Sequence, residues 1–378
     1  MFTGRKLAVV SVINDLVSDN RVLRSCSVLQ EAGYDLLLIG RKKPGSLPIR
    51  GWKIKTNRMR MFFHSGPLFY LFFNLRLFFK LWFSKAGLLF ANDLDTLLPN
   101  YLVARLKHIP LIYDSHELFC EVPELQNSPF KKRIWQKLEG SLIPRLRNCV
   151  TVNESIAEIF ENRYGTKFTV IRNIADVPQD APVKSRQELG LPFSSKIILL
   201  QGAGINIDRG AEELVEAMCY VKDAMLLIIG SGDVWPRLEK MVASLNLKNK
   251  VFLINRMPAP ELRHYTFNAD LGVSIDKNTN LNYRYSLPNK IFDYLNAGLP
   301  VLASRLPEVE KVLNHCQAGV FIDDHHPQHI AGTINRFFDT KSDHNTERIR
   351  ESASVFSWQT EKQKLLGLIT EVSTERLG

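Results

Sequence analysis

The sequence SLPNKIFDYLNAGLPVLAS, residues 286–304, contains in order a helix start, a helix end and a buried strand. Pro288 fixes φ at a value that suits the first turn of a helix, and Asn289 is placed to cap the free N–H groups there. Lys290 and the positive end of the helix would together face an anion, with Asp293 one turn further along. A glycine then ends the helix before the apolar strand. This order predicts a helix whose N-terminus binds an anion beside a parallel sheet.

The rest of the chain repeats this alternation of strand and helix. Short apolar runs such as KLAVVSVI, YDLLLIG, KIILLQGAG and AMLLIIGSG are each followed by helical periodicity, which is typical of βαβ units. The segment 174–193, rich in Pro and polar residues, predicts a linker. We therefore predict an α/β protein with two Rossmann-like halves, whose ligands bind at the carboxyl ends of strands.

Length and composition narrow the class of protein. The 378 residues suit two α/β domains, and the formal net charge of +10 favours an anionic partner. Because the basic residues match no recognised nucleic-acid-binding module, we expect a membrane surface or a phosphorylated small molecule rather than nucleic acid. Five scattered cysteines without a CxxC pair argue against a disulfide framework or a zinc site. Together with the absence of a signal-peptide pattern, this predicts a cytoplasmic location.

The LPNKIFDY helix resembles the donor-site helix of glycosyltransferase family 4, in the variant Leu-Pro-Asn-Lys-x-Phe-Glu-Tyr. The segments DNRVLR, DSHE, TVNESIAE and FSW are also similar to segments of these enzymes. The resemblance implies the GT-B fold, with two Rossmann-like domains facing across a cleft and a C-terminal helix returning to the N-terminal domain. The expected domains are an acceptor- and membrane-facing domain at 1–178, a nucleotide-sugar donor domain at 179–355, and a terminal helix at 356–378.

The same resemblance implies roles in the donor site. The family carboxylate that matches Asp293 holds the ribose hydroxyls, and the backbone N–H groups of Asn289 and Lys290 would serve the diphosphate. The commoner family pattern has two glutamates separated by seven residues. Tyr285 occupies the first of these places, so the carboxylate that contacts the transferred sugar is missing here.

A glycine-rich loop, QGAGINIDRGAEELVEA at residues 201–217, follows a predicted strand. Gly202 and Gly204 let the backbone approach a ligand, and Arg209 is placed to reach phosphate oxygens in a forked geometry. The loop resembles the Gly-Arg/Lys phosphate clamp of the family, with its first basic residue missing. By itself, a glycine-rich loop after a strand is structural nearly as often as functional.

Two further segments resemble the nucleotide side of the family's donor site. IIGSGDVWPRLE carries Gly232 at a strand end, and the turn at Arg256 and Met257 is similar to the turn beside the base. Arg256 is alternatively a surface charge.

In the first half, PLIYDSHELFCE places Asp114 and His116 at the carboxyl end of a strand. The similar family segment carries a histidine that contacts the donor sugar, and His116 matches it. A lone histidine is more often structural. The strand-end position and the neighbouring carboxylates favour the site role here.

Asp19, Arg21, Asp93 and Asp114 are expected on the acceptor side. The alternative for Asp19 and Arg21 is an N-cap and an exposed arginine. Asp93-Leu94-Asp95 has the Asp-x-Asp spacing that holds Mg²⁺ or Mn²⁺ in the other large glycosyltransferase fold. Because that fold has one Rossmann-like domain and this chain shows two, we interpret both aspartates as helix-capping or acceptor-side residues and predict no metal site.

The segment 61–85, MFFHSGPLFYLFFNLRLFFKLWFSK, is dense in Phe and Leu. Arg76, Lys80 and Ser84 recur every four residues and would form one polar stripe on a helix. This pattern predicts a helix lying at an anionic membrane surface. The alternative is a core helix or a partner interface.

The resemblance implies a retaining transfer of a sugar from a nucleotide-sugar donor to a glycan or lipid-linked acceptor, without a metal ion or other cofactor. His116, Arg209 and Lys290 are the expected catalytic residues. The predicted location is peripheral, on the inner face of the membrane. Two alternatives stay open: a nucleotide-sugar epimerase, and a non-catalytic GT-B scaffold in a polysaccharide assembly complex.

Overall fold

The computed structural model describes residues 6–49, 52–175, 182–340 and 345–374. The chain divides into two compact units. The first comprises Met1–Asn173 with Gln359–Gly378, and the second comprises Ile174–Trp358. The terminal helix therefore groups with the first unit. Residues 176–181, within the predicted linker, lie outside the described residues.

The first unit contains a seven-stranded parallel sheet in the order β3-β2-β1-β4-β5-β6-β7. Its strands are β1 Leu7–Asp15, β2 Asp35–Lys42, β3 Lys55–Arg60, β4 Ala86–Asn92, β5 Leu111–Ser115, β6 Asn148–Thr151 and β7 Phe168–Val170. The strand order reverses between β1 and β4. In open α/β sheets, ligands bind at the carboxyl ends of strands beside such a reversal.

The second unit contains a six-stranded parallel sheet in the order β10-β9-β8-β11-β12-β13. Its strands are β8 Lys196–Gly202, β9 Ala224–Gly230, β10 Val251–Asn255, β11 Leu271–Ser274, β12 Val301–Ser304 and β13 Gly319–Ile322. Here the order reverses between β8 and β11. The prediction of two Rossmann-like α/β halves is confirmed.

Helices follow most of the strands. In the first unit they are α1 Asn20–Glu31, α2 Gly66–Trp82, α3 Leu94–Lys107, α4 Pro123–Gln126, α5 Pro129–Leu142, α6 Glu154–Tyr164 and, from Gln359 onward, α15 Trp358–Thr374. In the second unit they are α7 Ala211–Ala217, α8 Trp235–Ser244, α9 Ala259–Asn268, α10 Leu281–Arg284, α11 Asn289–Asn296, α12 Pro307–His315, α13 Pro327–Asp339 and α14 Thr346–Ala353. The sequence predicts a helix from Leu98 to Leu106, but this start is wrong, because α3 begins at Leu94, with one residue between it and the end of β4.

Helix α11 is held on the second sheet by Tyr294. The Tyr294 hydroxyl donates to the Leu199 carbonyl at 3.0 Å and accepts from the Gln201 N–H at 3.1 Å. A Cβ on Gly272 would lie 2.5 Å from the Tyr294 ring, so only glycine at that position leaves room for the ring. These contacts hold the C-terminal half of the helix over β8 and β11.

Helix α2 presents apolar side chains on two faces. Phe69, Phe73, Leu77 and Leu81, spaced every four residues, are buried in the core of the first unit. The remaining surface exposes Leu68, Leu71, Phe72, Leu75, Phe79 and Trp82. The core-helix alternative thus explains only one face. Within the described residues, no helix is both long and apolar enough to cross a bilayer.

Candidate active site

Arg209 in the second unit is fixed by an acid and an aromatic ring. It lies in the loop after β8, and its Nη1 donates to Asp276 Oδ2 at 3.0 Å. Its guanidinium carbon lies 4.1 Å from the centre of the Tyr283 ring. Burial alone would lower the pKa of Arg209, but Asp276 and Tyr283 raise it above its usual value. Asp276 follows β11, so the two charges meet where the strand order reverses.

Lys290 is the second residue of α11 and is half-buried. No ion-pair partner for it lies within 4 Å among the residues that the structure describes. Burial lowers its pKa, the carboxylate of Asp276 opposes this effect, and the positive charge of Arg209 lowers the pKa further. The two cations therefore share one buried carboxylate. A second negative charge would relieve the repulsion between them.

The N-terminus of α11 adds partial positive charge to this cluster. Pro288 is the N-cap residue, and no side chain caps the first turn. The predicted capping by Asn289 is wrong, because Asn289 is itself the first helical residue and its side chain is exposed. The N–H groups of Asn289 and Lys290 have no partner within the helix, whereas the N–H of Ile291 donates to the Pro288 carbonyl at 3.1 Å. An anion placed there would accept hydrogen bonds from them.

The predicted glycines divide into two kinds. A Cβ on Gly202 or on Gly204 would meet no atom closer than 3.9 Å, so both face open space. A Cβ on Gly232, by contrast, would lie 1.9 Å from the Ile205 carbonyl oxygen. Gly232 is therefore required for the close approach of two loops, whatever else it contacts.

Asp293 lies one turn into α11, and its Oδ2 accepts a hydrogen bond from Gln201 Nε2 at 3.1 Å. Gln201 Oε1 in turn accepts from the Thr266 hydroxyl at 2.7 Å. This chain of hydrogen bonds fixes the orientation of the Asp293 carboxylate. Arg256 and Met257 follow the edge strand β10, which lies two strands from β8. Arg256 is exposed, whereas Met257 packs against the core.

In the first unit, His116 lies between two carboxylates. Its Nδ1 is 3.1 Å from Asp93 Oδ2, and its Nε2 is 3.4 Å from Asp114 Oδ2. Burial alone would lower the pKa of His116, but Asp93 and Asp114 hold it well above its usual range. The two carboxylates therefore favour the protonated, cationic form of the ring. Nε2 makes no well-directed hydrogen bond to any described residue.

Arg21 and Asp114 form a buried, forked ion pair. Arg21 Nε and Nη2 donate to the two carboxylate oxygens at 2.9 and 2.7 Å, and Nη1 donates to the Ile171 carbonyl at 2.8 Å. Burial would raise the pKa of Asp114, yet Arg21 and His116 lower it to about 2. The exposed-arginine alternative is wrong, because Arg21 is only 7% exposed. Asp19 is the N-cap of α1, accepting from the Val22 N–H at 3.2 Å.

Asp93 stands at the N-cap position of α3 with φ of 60°, but its side chain makes no cap hydrogen bond. The capping interpretation of this side chain is wrong because its carboxylate binds His116, including the backbone N–H at 2.9 Å. Asp95, the second residue of α3, is almost fully buried. The acceptor-side role of these aspartates stays a prediction.

Sequence reasoning missed three residues that shape the site of the second unit: Asp276, Tyr283 and Gln201. Gln201 and Asp276 are polar residues that end or directly follow an apolar strand, which is a usable signal for a site at a parallel sheet. Tyr283 carries no such signal, because its ring meets Arg209 only through tertiary structure.

Two family models match the chain. The model described as Glycosyltransferase Family 4 matches residues 19–178, and the model described as Glycosyl transferases group 1 matches residues 184–354. A D-inositol 3-phosphate glycosyltransferase of Corynebacterium jeikeium is 24% identical over 245 residues, 59% of this chain and 57% of the relative. A chitobiosyldiphosphodolichol beta-mannosyltransferase of Candida albicans is 22% identical over 227 residues, 54% and 49% of the two chains. The chain spans about half the length of the curated relatives it matches.

Solved structures agree over nearly the full length. A glycosyltransferase from Rickettsia africae superposes with a TM-score of 0.73 at 16% identity, covering 99% of each chain. Anabaena HepE, crystallised with UDP and glucose, superposes with a TM-score of 0.72 at 14% identity, covering 97% of this chain and 100% of HepE. At these identities the likeness shows the fold, which is GT-B. The two family models, which together match most of the chain, show that it belongs to the family 4-like glycosyltransferases.

Proposed function

We propose that this enzyme is a retaining glycosyltransferase that moves a sugar from a nucleotide-sugar donor to a lipid-linked or polysaccharide acceptor, without a metal ion or other cofactor. The observation that carries the proposal is the charge cluster of the second unit. Arg209 and Lys290 share the single carboxylate of Asp276 beside the uncapped N-terminus of α11. Such a cluster suits the diphosphate of the donor.

The charge cluster would act on the leaving group. As the bond between the sugar and the diphosphate breaks, negative charge develops on the diphosphate oxygen. The acceptor hydroxyl bonds to the sugar on the same face, and its proton passes to the departing diphosphate. Donors fixed in advance toward that charge usually supply the largest catalytic term. We assign this task to Arg209, Lys290 and the first-turn N–H groups of α11. Asp293 would hold the ribose hydroxyls.

His116 would orient the sugar. Its ring is held by Asp93 through Nδ1, which leaves Nε2, with its longer contact to Asp114, as the nitrogen that can donate to a sugar hydroxyl. The positive ring and the carboxylates around it suit a polyhydroxylated ligand. Because HepE was crystallised with UDP and with UDP-glucose, uridine nucleotides are the first donors to test.

The deciding experiment is calorimetry with UDP, GDP and dTDP, followed by assays of the matching nucleotide-sugars. We expect one nucleoside diphosphate to bind. Arg209→Lys should weaken this binding, because the forked geometry of the guanidinium is lost. An exposed lysine at the opposite end of the sheet, Lys248, provides the control as Lys248→Ala. A scaffold would bind none of the three. An epimerase would convert the nucleotide-sugar without any acceptor.

We further propose that the enzyme works on the cytoplasmic side of a membrane, docked through the exposed apolar face of α2. Phe62 and Phe83, which flank α2, are 91% and 78% exposed, and Arg76 and Lys80 lie among these apolar side chains. Flotation with anionic liposomes tests this. The double change Arg76→Glu and Lys80→Glu should reduce binding, and equal binding in parent and variant would contradict the proposal.

A further inference from the structure

A cavity of about 650 Å³ lies in the first unit between α2, α3, α4 and α5. Most of its wall is apolar and includes Tyr70, Leu71, Leu98, Ile134, Trp135 and Leu138. The Trp135 ring centre lies 5.1 Å from that of Tyr70 and 4.9 Å from that of Phe119, so aromatic contacts hold this wall in place. A cavity of this size accommodates a small organic molecule or part of a larger one.

The outer edge of the cavity is open and apolar. Leu71 on α2 is 61% exposed, and Ile134 on α5 is 51% exposed. Both side chains line the cavity and reach solvent, so they mark its mouth between the two helices. Lys131 and Lys137, two exposed cations of α5, are also among the lining residues, alongside Glu124.

The inner end of the cavity contains a buried carboxyl group that lacks a partner. Asp95 lines the cavity and is 6% exposed, and its Oδ1 makes no hydrogen bond within the described part of the chain. A buried polar atom without a partner is unfavourable, so a ligand that supplies a hydrogen bond there would gain affinity. Burial raises the pKa of Asp95 well above its usual range, and the charge of Asp93 raises it further. These effects favour the neutral form of the carboxyl group, which can donate or accept a hydrogen bond.

Asp95 also lies beside the His116 cluster. It is two residues from Asp93, which binds His116, and the charge of His116 acts on the Asp95 carboxyl. A ligand whose polar end reaches Asp95 is thus close to the histidine that we assign to the sugar. Its remaining part would extend along the apolar wall toward Leu71 and Ile134.

We propose that this cavity binds the apolar chain of one acceptor molecule, with the hydroxyl-bearing end at Asp95 and the chain leaving between Leu71 and Ile134. The occupant is an amphiphile with an alkyl or isoprenoid chain, and Lys131 and Lys137 provide positive charge for an acidic group on it. This inference rests on the proposed function, which it deepens by naming the acceptor class and the place of its chain.

The test is calorimetry on the full chain with decyl phosphate below its micelle concentration, with 1-octanol, and with inorganic phosphate. We expect decyl phosphate and octanol to bind and inorganic phosphate not to bind. Ile134→Glu places a charge at the mouth of the cavity and should weaken the binding of decyl phosphate at least tenfold. The matched control is Phe79→Glu on α2, since Phe79 is 50% exposed and does not line the cavity. This variant should keep decyl phosphate binding within twofold and lose liposome flotation.

Asp95 is tested with two substitutions, each checked for its thermal unfolding. Asp95→Asn keeps groups that can hydrogen-bond and should bind octanol within about threefold of the parent. Asp95→Leu removes the hydrogen-bonding groups and should weaken the binding of octanol at least tenfold. Equal affinities in the two variants would overturn the assignment of the polar end to Asp95.

Other outcomes separate this inference from the proposed function. If nucleoside diphosphates bind but the amphiphiles do not, the cavity assignment fails and the proposed function stands. The cavity assignment also fails if Ile134→Glu and Phe79→Glu weaken the binding of decyl phosphate equally, because the amphiphile then merely adheres to the outer face of α2. If the amphiphiles bind in the cavity but no nucleoside diphosphate binds, the acceptor role falls together with the proposed function.

Discussion

The two units both place charged side chains where the strand order of their sheet reverses, but the balance of charge differs. In the first unit, the cations Arg21 and His116 meet two carboxylates, Asp93 and Asp114. In the second unit, Arg209 forms an ion pair with a single carboxylate, that of Asp276, whose charge also acts on Lys290.

This difference separates a cluster whose charges balance from one whose excess positive charge favours the binding of an anion. The first cluster neutralises itself, so its ion pairs hold the strand ends and α1 in a fixed geometry. The second cluster keeps an excess positive charge in a half-buried place, which costs stability unless an anion binds there. Strained or unbalanced charge of this kind is a physical indication of a binding site. The predictions below test whether each cluster behaves accordingly.

The largest effect is expected from breaking the balanced cluster. Arg21→Met removes the forked partner of Asp114 and leaves a buried carboxylate whose remaining cation is His116. Removing one partner of a buried ion pair typically costs about 3–5 kcal/mol of unfolding free energy. Urea denaturation, followed in the transition of the unit that holds Arg21, measures it.

The matched control for this prediction is Arg305→Met in the second unit. Arg305 is likewise paired with carboxylates, here those of Glu310 and Asp323, but it is half exposed. Exposed pairs contribute about 0–1 kcal/mol. If both variants lose the same unfolding free energy, the buried ion pair of Arg21 does not stabilise the fold more than an exposed pair does, and the prediction is wrong.

A smaller effect is expected from the unbalanced cluster, and it concerns turnover rather than stability. Lys290→Met removes a cation that has no ion-pair partner among the described residues and whose burial is unfavourable. Stability should therefore hold or rise, whereas loss of one donor to the leaving diphosphate should lower kcat about 10²-fold, or about 2.7 kcal/mol. The measurements are turnover of the nucleotide-sugar and thermal unfolding. Lys248→Met, an exposed lysine away from the cluster, should change neither. Loss of stability without loss of turnover would mean that Lys290 is a structural residue.

The fold was predictable because its signals are local. Apolar runs such as Leu226–Ile229, all nearly inaccessible in the structure, are typical of parallel strands buried on both faces, and the residues between them carry helical periodicity. The start of α11 was predicted to within one residue, because Pro288 restricts the backbone there. The start of α3 was missed because Asp93 adopts a positive φ that no local pattern announces.

The site was predictable only in part. Arg209 and Lys290 follow strand-end and helix-start patterns, so the sequence locates both. Asp276 links them through space, and its role depends on β11 lying next to β8, a pairing between residues far apart in the chain. The burial of Arg21 has the same origin, since its partner is 93 residues away. Pairing partners at such separations cannot be derived from local patterns.

The smallest effect concerns the charge of His116, which the balanced cluster should hold at neutral pH. Because the pKa of His116 in the folded chain lies above the unfolded value of about 6.5, its stabilising effect is complete below about pH 6.5 and is lost as the pH rises through the folded pKa. Asp93→Asn removes one of the two carboxylates that hold this proton, and asparagine tolerates the positive φ of that position. We expect the pKa of His116 to fall in the variant, because one of the two negative charges that raise it is gone. Titration of the imidazole C–H resonances by NMR measures it, with exposed His108 as the internal reference. A parent resonance of His116 that already titrates near pH 6.5 would contradict the prediction, because it would mean that the two carboxylates do not hold the ring as a cation.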